Sequence, residues 1–292
     1  MHPTALEALI QYYDLPVRCF TFRDFQIAPT LEEYKCLLGG RPPQYFHQDQ
    51  PPYWAMIAKL LRVSEVEMAK VKRSRNDLEG LSRVYLEERL LQLREEDEWP
   101  AVINILGLLL YWILLFPHVE NYIDLAVVEV FLAKKDKGEN PTMAILANTY
   151  YTLNYYSKQK EGSLRCSTPL LYLWLTSHLF HYKSKTECLM EDFKWSWIIT
   201  MSKEHWVRQL SEASERTICW YPPWNERENM ITRYRGYPNI PLLGIQGAIN
   251  YNPELVSRQA GYPMIRAPLE EVMTPFVLHR LEAYRGEYHR KI

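Results

Sequence analysis

With 292 residues, 34 basic side chains against 35 acidic ones and a net charge of −1, the chain has the balance of an ordinary globular protein. That balance excludes wholesale coating of nucleic acid through phosphates, which calls for a clear basic excess. Only 11 glycines leave little room for backbone loops that wrap phosphates, while 21 tyrosines and 9 tryptophans supply aromatic surface for cores and interfaces alike.

In chain order, residues 4–13 read as a first helix, and 17–22 with 25–27 as a small β-hairpin around Arg23-Asp24. Thr30-Leu31-Glu32-Glu33 is a capping box: the hydroxyl accepts from the third helical amide while Glu33 reaches back. It opens a helix carrying Tyr34, Leu37 and Leu38 that stops at Gly39-Gly40. A proline-rich loop over 41–52 leads to a helix at about 53–61, and Ser64 with Glu67 caps the next. Ser82 stands as the cap of a longer helix in which Leu86, Leu90 and Leu93 share one face.

From Ala101 to Phe116 there is no charge at all. Sixteen helical residues reach about 24 Å, short of the roughly 30 Å of a bilayer's hydrocarbon core, and no Lys or Arg anchors the flanks. The run is therefore expected to be a buried core helix bracketed by Pro100 and Pro117, not a membrane span. Another helix is expected from Asp124 to about Lys134, followed by a polar loop over 134–139. Asn140-Pro141 and Thr168-Pro169 are cap-then-proline starts for two helices, the second apolar all round. Ser202 starts a helix reaching about Ala213, and 219–224 form an aromatic turn. Asn252-Pro253 opens a short helix stopped at Gly261, and a last helix from Thr274 runs in a pattern that continues to the final residue. No repeat or low-complexity segment interrupts this, so the expectation is a mainly α chain, one multi-helix domain over 1–292 with a small N-terminal hairpin.

The search for chemistry returns little. No phosphate-binding glycine motif, nucleophile elbow, zinc-protease string or kinase string occurs. The five cysteines (19, 36, 166, 188 and 219) form no Cys-x-x-Cys pair, so buried reduced thiols inside the cell are expected. His178 and His181, three apart on a helix, are the best metal candidates, with Cys188 or Asp192 as further ligands; the competing reading is two hydrogen-bonded histidines at a buried helix end. Lys70, Lys72, Arg73 and Arg75 are the candidate nucleic-acid contacts, joined by a smaller cluster at Arg285, Arg290 and Lys291. The competing reading is the wet face and C-terminal turn of a helix, diluted by Glu65, Glu67, Asp77 and Glu79. No catalytic residue and no cofactor is assigned.

Several strings resemble the plant mobile domain family, also called the aminotransferase-like plant mobile domain, and within it a branch abundant in legume genomes. They are Phe20-Thr21-Phe22-Arg23-Asp24-Phe25, Ala28-Pro29-Thr30-Leu31-Glu32-Glu33-Tyr34, Leu146-Ala147-Asn148-Thr149-Tyr150, Pro169-Leu170-Leu171-Tyr172-Leu173-Trp174-Leu175 and the segment Tyr251 to Gly261. The resemblance implies a domain carried by plant mobile elements and by host proteins derived from them, with no agreed catalytic residues to carry over. No lysine stands in a cofactor-binding context, so aminotransferase chemistry is not expected. Three readings follow: a protein-binding interaction domain, which predicts an exposed apolar patch of more than a few hundred Å²; a nucleic-acid-binding domain; and an enzyme gathering His178, His181, Asp192 and His205 in one pocket. The first is preferred, with protein partners inside the cell, the nucleus ahead of the cytoplasm, and no membrane.

Overall fold

A computed structural model describes residues 3–39, 54–75, 78–117, 121–159, 164–179, 201–220, 222, 240–244, 247–252 and 277–278. The architecture is mainly α, with small antiparallel sheets between helices. The chain groups into two compact units: one of residues 1–41, 146–164 and 168–292, the other of 42–145 and 165–167.

The first unit opens with α1 (Pro3–Leu9) and a short 3-10 turn. Three strands follow, β1 (Tyr13–Asp14), β2 (Cys19–Thr21) and β3 (Gln26–Ile27), each antiparallel to the next. The expected hairpin is thus the β2–β3 half of a three-stranded sheet. Arg18 turns the chain between β1 and β2 at φ 52°, and its guanidinium donates to the Asn250 carbonyl at 2.7 Å. Next come α2 (Leu31–Leu37), most of α8 (Thr142–Gln159), α9 (Thr168–Leu179) and α10 (Lys203–Glu212). The strands β7 (Ile240–Gly244), β8 (Gly247–Tyr251) and β9 (Val277–Leu278) form another antiparallel sheet. Gly244 marks the β7 end: a Cβ there would lie 2.9 Å from the Ala147 Cβ on α8, so only glycine permits this approach.

Local signals are borne out here. Thr30 and Glu33 form the complete capping box, and the Ser202 hydroxyl accepts from the His205 amide to start α10. Helix α9 is buried nearly all round, as its composition predicts. One expectation is corrected: Val277–Leu278, placed in a terminal helix, is a strand, because pairing with β8 outweighs the local helical pattern. The helix expected from Asn252-Pro253 lies outside the described residues, apart from Asn252, as do the loop over 41–52 and Arg285, Arg290 and Lys291.

The second unit holds α3 (Trp54–Leu61), α4 (Glu65–Val71), α5 (Arg83–Glu95), α6 (Trp99–Leu110) and α7 (Leu125–Lys137). The Ser64 hydroxyl accepts from the Glu67 amide, and the Asp124 carboxylate accepts from the Ala126 amide, capping α4 and α7. Asn140 caps the start of α8 by accepting from the Thr142 amide. Helix α7 runs to Lys137 and stops at Gly138 in the left-handed conformation, so most of the expected polar loop is helical. A sheet of β4 (Lys72–Arg75), β5 (Leu78–Ser82) and β6 (Tyr122–Asp124) stands between the helices. Gly80 passes so close to the Ile123 carbonyl and the Tyr122 ring that no side chain fits there. Lys72, Arg73 and Arg75, expected in a helix's last turn, are therefore strand residues; only Lys70 belongs to α4.

Candidate interaction surface

The uncharged run of residues 101–116 becomes α6 followed by a π-turn, Tyr111–Leu115. Its start is set by the end of α5. Asp97 takes φ 57°, the Glu98 amide donates back to the Leu93 carbonyl, and Pro100 sits in the first turn of α6, where a missing N–H costs nothing. Two successive helices joined this tightly form an αα-hairpin, and α6 packs on α5, α7 and α3. Gly107 lets the Phe131 ring of α7 come within 3.0 Å of where a Cβ would stand, and Tyr111 meets the same ring edge-on at 5.3 Å.

The expectation of a buried core helix is corrected at this point for its outer face. Ala101, Val102, Ile105, Leu108, Leu109 and Trp112 face the core. Trp99, Ile103, Leu106, Leu110, Ile113 and Leu114 face outward, each between 47% and 65% exposed. The outward residues follow a strict four–three–four–three spacing from Trp99 to Ile113, the seam of a coiled-coil helix. In the π-turn Ile113 and Leu114 are both exposed, which makes the seam wider at that end. Inside, Trp112 lies under the Arg83 guanidinium, 5.6 Å from the ring centre. Six half-exposed side chains leave on the order of 600 Å² of largely apolar surface on one face, at the upper end of what the largest patch of a monomer usually reaches.

The basic candidates are arranged differently. Lys72 is ion-paired with Glu79 and lies 5.0 Å from the centre of the Trp54 ring. Trp54 in turn donates its indole N–H to Glu79 at 3.2 Å. Arg73 is exposed, and its carbonyl accepts from the Tyr122 hydroxyl; Lys70 is exposed in the last turn of α4. The side chain of Arg75 lies outside the described residues. One of the four cations is thus already engaged by a carboxylate.

The histidines belong to the first unit. His178 is buried at the end of α9, as the hydrogen-bonded reading requires. Its Nδ1 faces the Cys219 carbonyl at 2.7 Å and its Nε2 faces the Glu33 carboxylate at 2.9 Å. Glu33 also accepts from the Trp174 indole N–H at 2.9 Å and from the Thr30 amide and hydroxyl. Burial pushes the Glu33 carboxyl up, but the neighbouring His178 and the hydrogen bonds from His178 and Thr30 outweigh it and hold it below the ordinary carboxylate range. Next to it the Tyr251 hydroxyl donates to Glu32 at 3.1 Å and accepts from the Leu31 amide, while the Tyr150 hydroxyl donates to the Pro29 carbonyl. Sequence reasoning found the Thr30–Glu33 box but missed Glu33 as the carboxylate partner of His178, because 145 residues separate them.

His205 lies exposed at the start of α10 beside Ser202, while His181, Cys188 and Asp192 fall outside the described residues. Among the described residues no group of three histidines, cysteines or carboxylates stands together as a metal site, and no helix is long and apolar enough to cross a membrane. Of the enzyme candidates, the two described histidines thus serve a core network and a helix cap.

Comparison with curated proteins and with solved structures returns no match. A family model described as "Domain of unknown function (DUF7745)" matches residues 1–292, and the chain belongs to that family.

Proposed function

We propose that the protein is a non-catalytic interaction domain that binds protein through the outer face of α6. One observation carries this reading: a helix with no charged side chain from Ala101 to Phe116 is anchored by one face and presents Trp99, Ile103, Leu106, Leu110, Ile113 and Leu114 on the other. Exposed Leu and Ile at this spacing are the anchors by which helices dock on apolar partners. The resemblance to the plant mobile domain family supports an origin in mobile elements and a working place in the nucleus.

The alternative, a nucleic-acid-binding domain, draws on Lys70 and Arg73; the engagement of Lys72 by Glu79 lends it less support. The test is affinity capture with the full chain against its Ile103→Asp/Leu110→Asp variant. Partners retained by the parent chain and lost by the variant are expected. Identical bound sets would overturn the reading, and a salt-sensitive nucleic-acid fraction retained by both would promote the alternative.

A further inference from the structure

Resting on that reading, we infer that the occupant of the α6 face is a second copy of this chain, paired two-fold through the same seam. The argument starts from what the seam lacks. Its six outward side chains carry no charge and no hydrogen-bonding group apart from the Trp99 indole N–H, so a fitting partner is equally apolar and uncharged. The same face of a second copy meets that demand. A two-fold contact uses one patch twice, and the spacing of Ile103, Leu106, Leu110 and Ile113 lets the side chains of one seam enter the gaps of the other.

The area suffices. About 600 Å² on each copy amounts to at most about 1,200 Å² in total when the whole seam is covered, at the lower edge of the range of specific interfaces. Ion pairs of Glu96 with Arg89 and of Glu98 with Arg62 offset charge at the α6 N-terminus, so the acidic turn before the seam adds little repulsion between copies.

The test is sedimentation equilibrium of the full chain from about 1 to 100 μM, a range spanning interfaces of this size. The parent chain, Ile103→Asp, Leu110→Asp and the off-seam control Val66→Asp would be compared, with circular dichroism to confirm folding. A monomer–dimer equilibrium is expected for the parent and for Val66→Asp, weakened roughly 30-fold or more by either seam substitution. A parent that stays monomeric overturns self-pairing, and so does a dimer that ignores both substitutions. An apolar fluorescent dye then separates the two levels. Binding to a monomeric parent that Ile103→Asp abolishes removes only the second copy as occupant. Dye binding that ignores the substitution removes the α6 face as a docking surface as well.

Discussion

The start of α2 and the outer face of α6 invert the usual rule of what lies inside. At α2 a carboxylate and a histidine are fully enclosed; at α6 a row of Leu, Ile and Trp faces outward. Both arrangements are consistent with the same physics. A buried charge is tolerated when donors surround it, and Glu33 has four, three on Oε2 from Trp174 and twice from Thr30, and one on Oε1 from His178. An apolar face is tolerated outside when the opposite face alone anchors the helix, as Ile105, Leu108 and Leu109 do for α6. Residue type is thus a poor guide to location unless the partners are known.

The contrast breaks most sharply across one peptide bond of α6. Ile105→Asp places an unpaired charge in the core and is expected to cost more than about 4 kcal/mol, unfolding its unit in urea titration. Leu106→Asp, next along the helix but outward, is expected to stay within about 0.5 kcal/mol of the parent when both are titrated dilute enough to be monomeric. Equal losses from the two would mean that the seam is core. At α2, Glu33→Ala strands the His178 and Trp174 donors, and a loss of about 3–5 kcal/mol is expected. Thr30→Ala removes the cap and one donor to Glu33, for about 1–2 kcal/mol in the same titration.

A pH series gives the mildest effect. The Glu33 carboxyl is held below its ordinary 4.5, so its contribution is fully present above that pH and is lost as pH falls through the lower folded value. Urea midpoints of the parent should therefore drop more steeply below pH 4.5 than those of Glu33→Gln, which has no such proton to take up. Parallel slopes would show that Glu33 is not held in this way.

Much of the helical framework was legible because its signals are local. Thr30, Ser64, Asn140 and Ser202 each bond to a backbone amide two or three residues on, within the span that sequence spacing can resolve. The sheets were less legible. β4 and β5 pair because β6, some forty residues later, completes the sheet, and Gly80 permits the approach. The α6 seam was invisible for a different reason: periodicity is read from contrast, and a run with no charge offers none between its two faces. Glu33 reads locally as a capping residue, which it is, but nothing within a few residues signals that His178 stands on its other side.

That long-range tie has a consequence for how the chain matures. Glu33 closes spans of 141 residues to Trp174 and 145 to His178, while Tyr251 comes to Glu32 across 219. On a ribosome, α2 emerges early with both acids still hydrated and its burying partners not yet made. The enclosed network is therefore assembled late, and until then the N-terminal third offers unfinished apolar surface to chaperones. Nascent chains halted before residue 168, where α9 starts, would be protease-sensitive at α2, and chains carried past Tyr251 would be protected.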